Sequence, residues 1–202
     1  MTKDHLVWYT ARSAGLVAWT LLAAGTMWGL ALSGGVVRRR VRNAWMLDLH
    51  RYLGALAVVF VGVHVGALLL DGFVGFDVGD VLIPFASNWS PVAVAFGVVS
   101  LYLLVAVEVT SLLRSWMPRG WWKRVHYASF PLFAFATIHG VAAGTDTGSR
   151  VAIGTVVATS GLIGGLTWWR VHRSRDSGRR PPRGAVPVPA RVRSAAASRP
   201  AP

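Results

Sequence analysis

Long apolar runs, separated by short basic or polar loops, constrain this chain more than any other feature. Five windows are long enough to cross a bilayer about 30 Å thick, since a spanning helix needs about 20 residues. With 53% hydrophobic and 14% charged residues, the composition is that of a membrane protein. The sequence therefore predicts an all-α, polytopic membrane helix bundle with about five transmembrane helices, at residues 13–34, 47–70, 91–113, 122–144 and 151–169.

The 21 Lys and Arg residues are distributed unevenly between the two predicted sides of this bundle. Three of them, Lys3, Arg12 and Arg150, share a side with the N-terminus, and the other eighteen lie on the opposite side. Because basic loops stay cytoplasmic, we expect a multi-pass protein of the plasma membrane with residues 1–12 outside. Residues 170–202, rich in Pro, Arg, Ala and Ser, are expected to form a disordered basic cytoplasmic tail that meets lipid headgroups, not nucleic acid.

Four histidines lie inside the predicted spans. His50 and His64 are fourteen residues apart in the second window, which places them about 21 Å apart along a helix. In the fourth window, His126 and His139 are thirteen residues apart. The predicted topology puts His50 and His126 near the cytoplasmic face and the other two near the outer face. Ionisable residues inside a span are costly and usually mark function.

Two facing pairs of histidines at two depths indicate a specific cofactor. Neutral imidazole is a common axial ligand of haem iron, and facing helices of a bundle are where such sites form. A lone membrane histidine more often makes a hydrogen bond between helices, but four at matched depths favour ligands. We therefore predict two stacked b haems between the second and fourth spans, held by His50 with His126 and by His64 with His139.

The helical phase agrees with this prediction in one span only. At about 100° per residue, fourteen residues return to within about 40° of the starting face, but thirteen miss it by about 140°. Pro131 lies between His126 and His139, and a proline kink is expected to absorb part of the mismatch.

Two charged residues near the cytoplasmic ends of the spans have candidate roles. Arg51 follows His50 directly, where its guanidinium is placed to pair with a haem propionate; ordinary positive-inside charge explains it equally well. Glu108 is a carboxylate well inside the third span, and an ion pair with Arg114 is favoured over a role in a proton or quinone path.

Several classes of chemistry have no sequence signal. The chain has no cysteine, which excludes disulfides and thiolate-bound iron–sulfur clusters. It also has no P-loop, no dinucleotide-binding glycine motif, no HExxH and no catalytic triad. We therefore assign no catalytic residue, and whether the chain is itself an oxidoreductase stays open.

Two local patterns carry a resemblance to a known family. HRYLG at 50–54 is followed by a histidine fourteen residues after His50, and WKRVH at 122–126 by one thirteen after His126. With this pattern, residues 13–169 resemble the ferric reductase-like transmembrane domain of metalloreductases, NADPH oxidases and the haem subunit serving a periplasmic methionine sulfoxide reductase. The resemblance implies two b haems that pass electrons outward, with His50 and His126 on the inner haem and His64 and His139 on the outer one.

The chain departs from the family pattern in two ways. Members commonly have six spans, so the first is expected to be missing here, and many carry a cytoplasmic flavin and nicotinamide domain that the short tail cannot form. The expected donor is therefore a separate flavoprotein, a free flavin or a membrane quinol, although no residue pattern indicates a flavin site. The expected acceptor is ferric iron, dioxygen or a secreted redox partner.

Two alternatives stay open. One is a quinol-linked haem subunit that serves a secreted reductase. The other is a non-redox membrane protein whose histidines bind a transition metal or relay protons. Metal sites gather ligands at one depth and proton paths form a continuous file, whereas these histidines form two groups about 20 Å apart. The sequence does not fix the oligomeric state.

Overall fold

The computed structural model describes residues 3–33, 44–72, 75–144 and 149–178, and every regular element in these ranges is a helix. The predicted all-α membrane bundle is confirmed. A 3₁₀ turn, Leu113–Trp116, continues the fourth of the seven α-helices. The helices in chain order are α1 Lys3–Ser33, α2 Ala44–Leu70, α3 Val78–Leu82, α4 Pro91–Leu112, α5 Arg119–His126, α6 Ser129–Ala143 and α7 Arg150–Gly178.

Within the described ranges, four stretches of helix are long and apolar enough to cross a membrane: His5–Ser33, Ala44–Leu70, Pro91–Trp116 and Arg150–His172. The segment predicted as a span at 122–144 is helical but not one continuous helix, because it is divided between α5 and α6. At 15 residues, α6 is about 22 Å long, short of the roughly 30 Å hydrocarbon core.

The break between α5 and α6 follows from Pro131. A proline cannot donate a backbone hydrogen bond, and its ring clashes with the carbonyl four residues earlier, which here belongs to Tyr127. The chain accordingly switches to tighter bonds at this point: the Ala128 amide donates to Val125 and the Phe130 amide to Tyr127, each three residues back. The expected distortion is therefore a break at Tyr127–Ala128, and Pro131 lies in the first turn of α6, where proline is tolerated.

The outer boundaries of the first and last helices also differ from the sequence prediction. Helix α1 begins at Lys3, so most of the predicted extracytoplasmic segment 1–12 is helical. Helix α7 continues to Gly178, which makes residues 170–178 of the predicted tail helical; residues 179–202 lie outside the described residues. By its contacts the chain divides into two compact units, Met1–Thr167 and Trp168–Pro202, and the first contains all four histidines of the predicted pairs.

Helices α1 and α4 organise the packing of the first unit. Helix α1 packs against α2 and α6, and α4 packs against α2, α5 and α6. The Trp19 indole donates a 2.9 Å hydrogen bond to Thr137 Oγ1, and the Trp28 indole donates a 2.8 Å bond to the Met46 carbonyl. Among the described helices, α2 and α6 do not form a closely packed pair, although together they carry three of the four histidines.

Large apolar side chains cover the outside of these helices. Leu70 is 77% exposed, Leu112 81% and Val151 79%. Exposed apolar surface on this scale is costly in water but matches the hydrocarbon of a bilayer. The packing and the surface therefore describe a bundle that faces lipid.

Candidate functional site

The structure brings together the two pairs of histidines that the sequence matched by depth. The ring centres of His50 and His126 are 6.0 Å apart, with an angle of 78° between the ring planes. Those of His64 and His139 are 6.3 Å apart, at 77°. In each pair one ring comes from α2, and its partner comes from α5 or α6. The pairing is a fact of the fold, and the role of the rings as ligands stays a prediction.

Backbone carbonyls fix both rings of the His64–His139 pair. His64 Nδ1 lies 2.7 Å from the Ala11 carbonyl oxygen of α1, and His139 Nδ1 lies 2.8 Å from the Ala93 carbonyl oxygen of α4. A carbonyl only accepts, so each Nδ1 carries the proton and each Nε2 presents a lone pair. This is the tautomer that a metal-ligating histidine needs.

The His50–His126 pair is held differently. His50 Nδ1 is buried and makes no hydrogen bond of good geometry. The Gly25 backbone of α1 nevertheless lies close enough to interact electrostatically with the ring. His126 Nδ1 lies 3.5 Å from the Ser111 hydroxyl, at the outer limit for a hydrogen bond. The Trp122 ring stacks on His126, with centres 5.0 Å apart and planes 22° apart.

Glycines on α1 and α4 make room for three of the four rings. A Cβ added to Gly97 would lie 2.8 Å from His139, one on Gly15 would lie 3.0 Å from His64, and one on Gly29 would lie 3.2 Å from His50. Real Cβ atoms essentially never show a contact as short as the one at Gly97, and the contacts at Gly15 and Gly29 are tighter than most. A side chain at Gly97 would therefore displace the ring, and one at Gly15 or Gly29 would press on it.

Each glycine stands four residues after the backbone group that its ring approaches: Ala11 precedes Gly15, Gly25 precedes Gly29 and Ala93 precedes Gly97. The carbonyl of residue i in a helix points toward residue i+4, so a ring that reaches this carbonyl must pass over residue i+4. On α4, Ser111 stands fourteen residues after Gly97 and contacts the fourth ring, that of His126. A small residue on α1 or α4 thus lies behind every ring, and we call these four the backing residues: Gly15, Gly29, Gly97 and Ser111.

This backing pattern is the functional signal that the sequence analysis missed. Gly15 and Gly29 on α1 are fourteen residues apart, as are Gly97 and Ser111 on α4 and the two histidines of α2. A search for small residues that repeat at the histidine spacing on neighbouring spans would have found it. Glycine alone is too common in membrane helices to carry the signal.

Arg51 and Glu108, the two charged residues with candidate roles, lie at the same end of the bundle as His50 and His126. Arg51 is exposed, and its Nη1 lies 3.2 Å from Asp48 Oδ1 on the same helix. The predicted ion pair between Glu108 and Arg114 is not formed. The Arg114 guanidinium instead lies over the Trp122 ring, 4.9 Å from its centre, and the Trp122 indole nitrogen is buried without a hydrogen-bond partner.

The two ring pairs fit a haem better than a metal ion held by protein alone. An imidazole nitrogen bonds a metal at about 2 Å and lies about 1 Å from its ring centre, so rings on opposite faces of one iron have centres roughly 6 Å apart. The separations of 6.0 and 6.3 Å agree with this arrangement. Nowhere in the described ranges do three or more His, Asp or Glu side chains gather in a way that could hold a metal ion.

Comparison with known proteins gives one result. The family model described as "Ferric reductase like transmembrane component" matches residues 14–137, which include three of the four histidines and the helices that back them. The fourth, His139, lies two residues beyond the matched segment. Neither the curated proteins nor the solved structures contain a significant match.

Proposed function

Because this chain belongs to the ferric reductase-like transmembrane component family, we propose that it carries electrons across a membrane through two b haems, each held by one histidine pair. The observation that carries the proposal is the geometry of the pairs. Both have the ring separation of two ligands on one iron, and they lie fourteen residues, or about 21 Å, apart along α2.

In this proposal the protein binds and orients, and the cofactor does the redox chemistry. Bound haem supplies a one-electron ferric/ferrous couple. His64 and His139 present Nε2 because Ala11 and Ala93 hold the proton on Nδ1. Gly15, Gly29 and Gly97 let the rings approach their backing helices, and the apolar helices exclude water from the sites.

The charge distribution supports an orientation in the membrane, and membership of the family implies the direction of electron transfer. In the topology predicted from sequence, eighteen of the 21 Lys and Arg residues fall on the side of His50 and His126, which we assign to the cytoplasm. We accordingly propose a plasma-membrane protein with its N-terminus outside, in which electrons enter at the His50–His126 pair and leave from the His64–His139 pair. Ten residues that contribute to this count lie outside the described residues: Arg38, Arg39, Arg40, Arg42, Arg179, Arg180, Arg183, Arg191, Arg193 and Arg199.

The partners are proposed as classes. The donor is a separate flavoprotein or a membrane quinol, and the acceptor is an extracytoplasmic oxidant or a secreted reductase. Arg51 is proposed to pair with a haem propionate at the His50–His126 site. It would have to exchange its exposed Asp48 partner for that contact, and a surface ion pair of this kind is worth at most about 1 kcal/mol.

A reduced-minus-oxidised visible spectrum of the purified protein, with quantified haem, tests the proposal. We expect two b haems per chain in the wild type and one in each of His64→Ala and His126→Ala. His172→Ala is the matched control, because this histidine lies outside both pairs, and it should retain two. Folded protein without haem would eliminate the redox function and leave metal or proton transport by the histidines as the explanation.

A further inference from the structure

Glu108 is a half-buried carboxylate to which the proposed electron path gives no role. It lies in α4, within the candidate span Pro91–Trp116 and about one turn before α4 ends. It is also the only glutamate in the chain. A carboxylate inside a membrane helix is costly, and such residues usually have a function.

The carboxyl group of Glu108 lies against the backbone of α2. A Cβ added to Gly54 would lie 3.0 Å from the Glu108 carboxyl carbon, and closer still to one of its oxygens. Gly54 is four residues after His50, about 6 Å along the axis and about 40° around it. The carboxyl group is therefore one helical turn from His50, on the same face of α2.

Glu108 is also one helical turn from the residue that contacts the other ring of this pair. Ser111 is three residues after Glu108, so the two share a face of α4. The Ser111 hydroxyl is the group that lies 3.5 Å from His126 Nδ1. Glu108 thus lies against a glycine one turn from His50 and stands one turn from Ser111, which contacts His126, while the His64–His139 pair is at the far end of the bundle.

No described residue pairs with the Glu108 carboxylate through a hydrogen bond or an ion pair. Arg114, the nearest cation in sequence, lies over the Trp122 ring, and the exposed Asp48 is paired with Arg51. The elements packed against α4 carry the following titratable or charged groups: Asp48, His50, Arg51, Tyr52 and His64 on α2, Asp80 on α3 with Asp77 at its N-cap, Arg114 on the 3₁₀ turn, Arg119, Lys123, Arg124 and His126 on α5, and His139 on α6.

Building on the proposed function, we propose that Glu108 takes up a proton when an electron reaches the His50–His126 site and releases it when the electron leaves. The electron comes from a reduced flavin or a quinol, and the proton comes from water at the nearby end of α4. Each reduction adds one electron and one proton, so the charge of the site does not change. In a low-dielectric interior, an added charge without a partner is strongly disfavoured, which couples the two events.

Redox titration of the haems between pH 5 and 9.5 tests this coupling. The potential of the His50–His126 haem should fall as pH rises, with a slope approaching about 59 mV per pH unit for one proton per electron. Glu108→Gln should abolish that slope, and Glu108→Asp should retain part of it. The His64–His139 haem in the same molecule is the internal control, and its slope should not change. His64→Ala protein, which keeps only the other haem, assigns the two components.

Infrared difference spectra provide a second readout that needs no variant. Because the chain has a single glutamate, labelling with ¹³C-glutamate marks Glu108 alone. We expect a protonated-carboxyl band in the reduced-minus-oxidised spectrum that shifts with the label. Two bound haems with no labelled band, or a slope that survives in Glu108→Gln, would overturn the coupling and leave the electron path intact. Protein without haem would instead overturn the proposed function and the coupling with it.

Discussion

The two histidine pairs have nearly the same ring geometry but are held by different contacts. At the His64–His139 pair, both Nδ1 atoms meet backbone carbonyls at 2.7 and 2.8 Å. At the His50–His126 pair, one Nδ1 has no good hydrogen bond, and the other has only a serine hydroxyl at 3.5 Å. The ring separation of about 6 Å therefore does not depend on strong hydrogen bonds to Nδ1.

The largest expected effect is the loss of one haem site while the other site stays intact. Gly97→Ala places a methyl group 2.8 Å from the His139 ring, so the ring must leave its position beside Ala93. We expect loss of the haem at His64–His139 and retention of the other, measured as half of the wild-type haem content. Gly62→Ala is the control, because a Cβ at Gly62 meets nothing within 4 Å. Full haem content in Gly97→Ala would contradict the backing role of this glycine.

The break before α6 should matter mainly for the His50–His126 pair. Pro131→Ala removes the obstacle to a continuous helix, and on a continuous helix His126 would turn about 140° away from the face of His139. We expect reduced haem content at the His50–His126 site and an unchanged His64–His139 site. In a His64→Ala background only the His50–His126 haem remains, so its content can be measured directly. Equal haem content with and without Pro131 would contradict this role of the proline.

The two haems should differ in midpoint potential. A ring that donates from Nδ1 is a stronger ligand and favours ferric iron. If each such bond contributes about 1 kcal/mol, it lowers the potential by about 40 mV, and two lower it by about 80 mV. Arg114 and the basic residues of α5 add positive charge near the other pair. Titration at fixed pH should therefore resolve two components, with His64–His139 the lower; a single component would remove the distinction between the pairs.

A smaller effect is expected from the ring that supports His126. Trp122→Leu removes the stacking at 5.0 Å, and aromatic pairs of this kind contribute about 0.5–1.5 kcal/mol. We expect a fall of roughly 2- to 10-fold in haem affinity at the His50–His126 site, measured by haem transfer to apomyoglobin. Trp122→Phe keeps an aromatic ring and should behave like the wild type.

The smallest effect is expected from the one long contact between Ser111 and His126. Ser111→Ala removes a contact of 3.5 Å, which is worth no more than about 0.5 kcal/mol, and the potential of the His50–His126 haem should change by no more than about 20 mV. A change several times larger would mean that the hydroxyl holds His126 as firmly as the carbonyls hold the other pair.

The histidine pairing was predictable from sequence because an ionisable residue in an apolar span is conspicuous, and depth is a simple function of residue number. The division of the predicted fourth span was not, because average hydropathy does not register one proline. The roles of Gly15, Gly29 and Gly97 depend on which helix lies beside which ring, and no single span contains that information. Likewise, the Arg114 guanidinium lies over the Trp122 ring and not against Glu108 because of the way the chain turns between α4 and α5.

The shared fourteen-residue spacing on α1, α2 and α4 has a consequence for how such a chain can change in evolution. Inserting or deleting one residue between Gly15 and Gly29 would rotate one backing glycine by about 100° relative to the other, so both could no longer meet their rings. The same holds between His50 and His64, and between Gly97 and Ser111. These intervals should therefore resist length changes, and length variation among natural homologues should collect in the loops outside them.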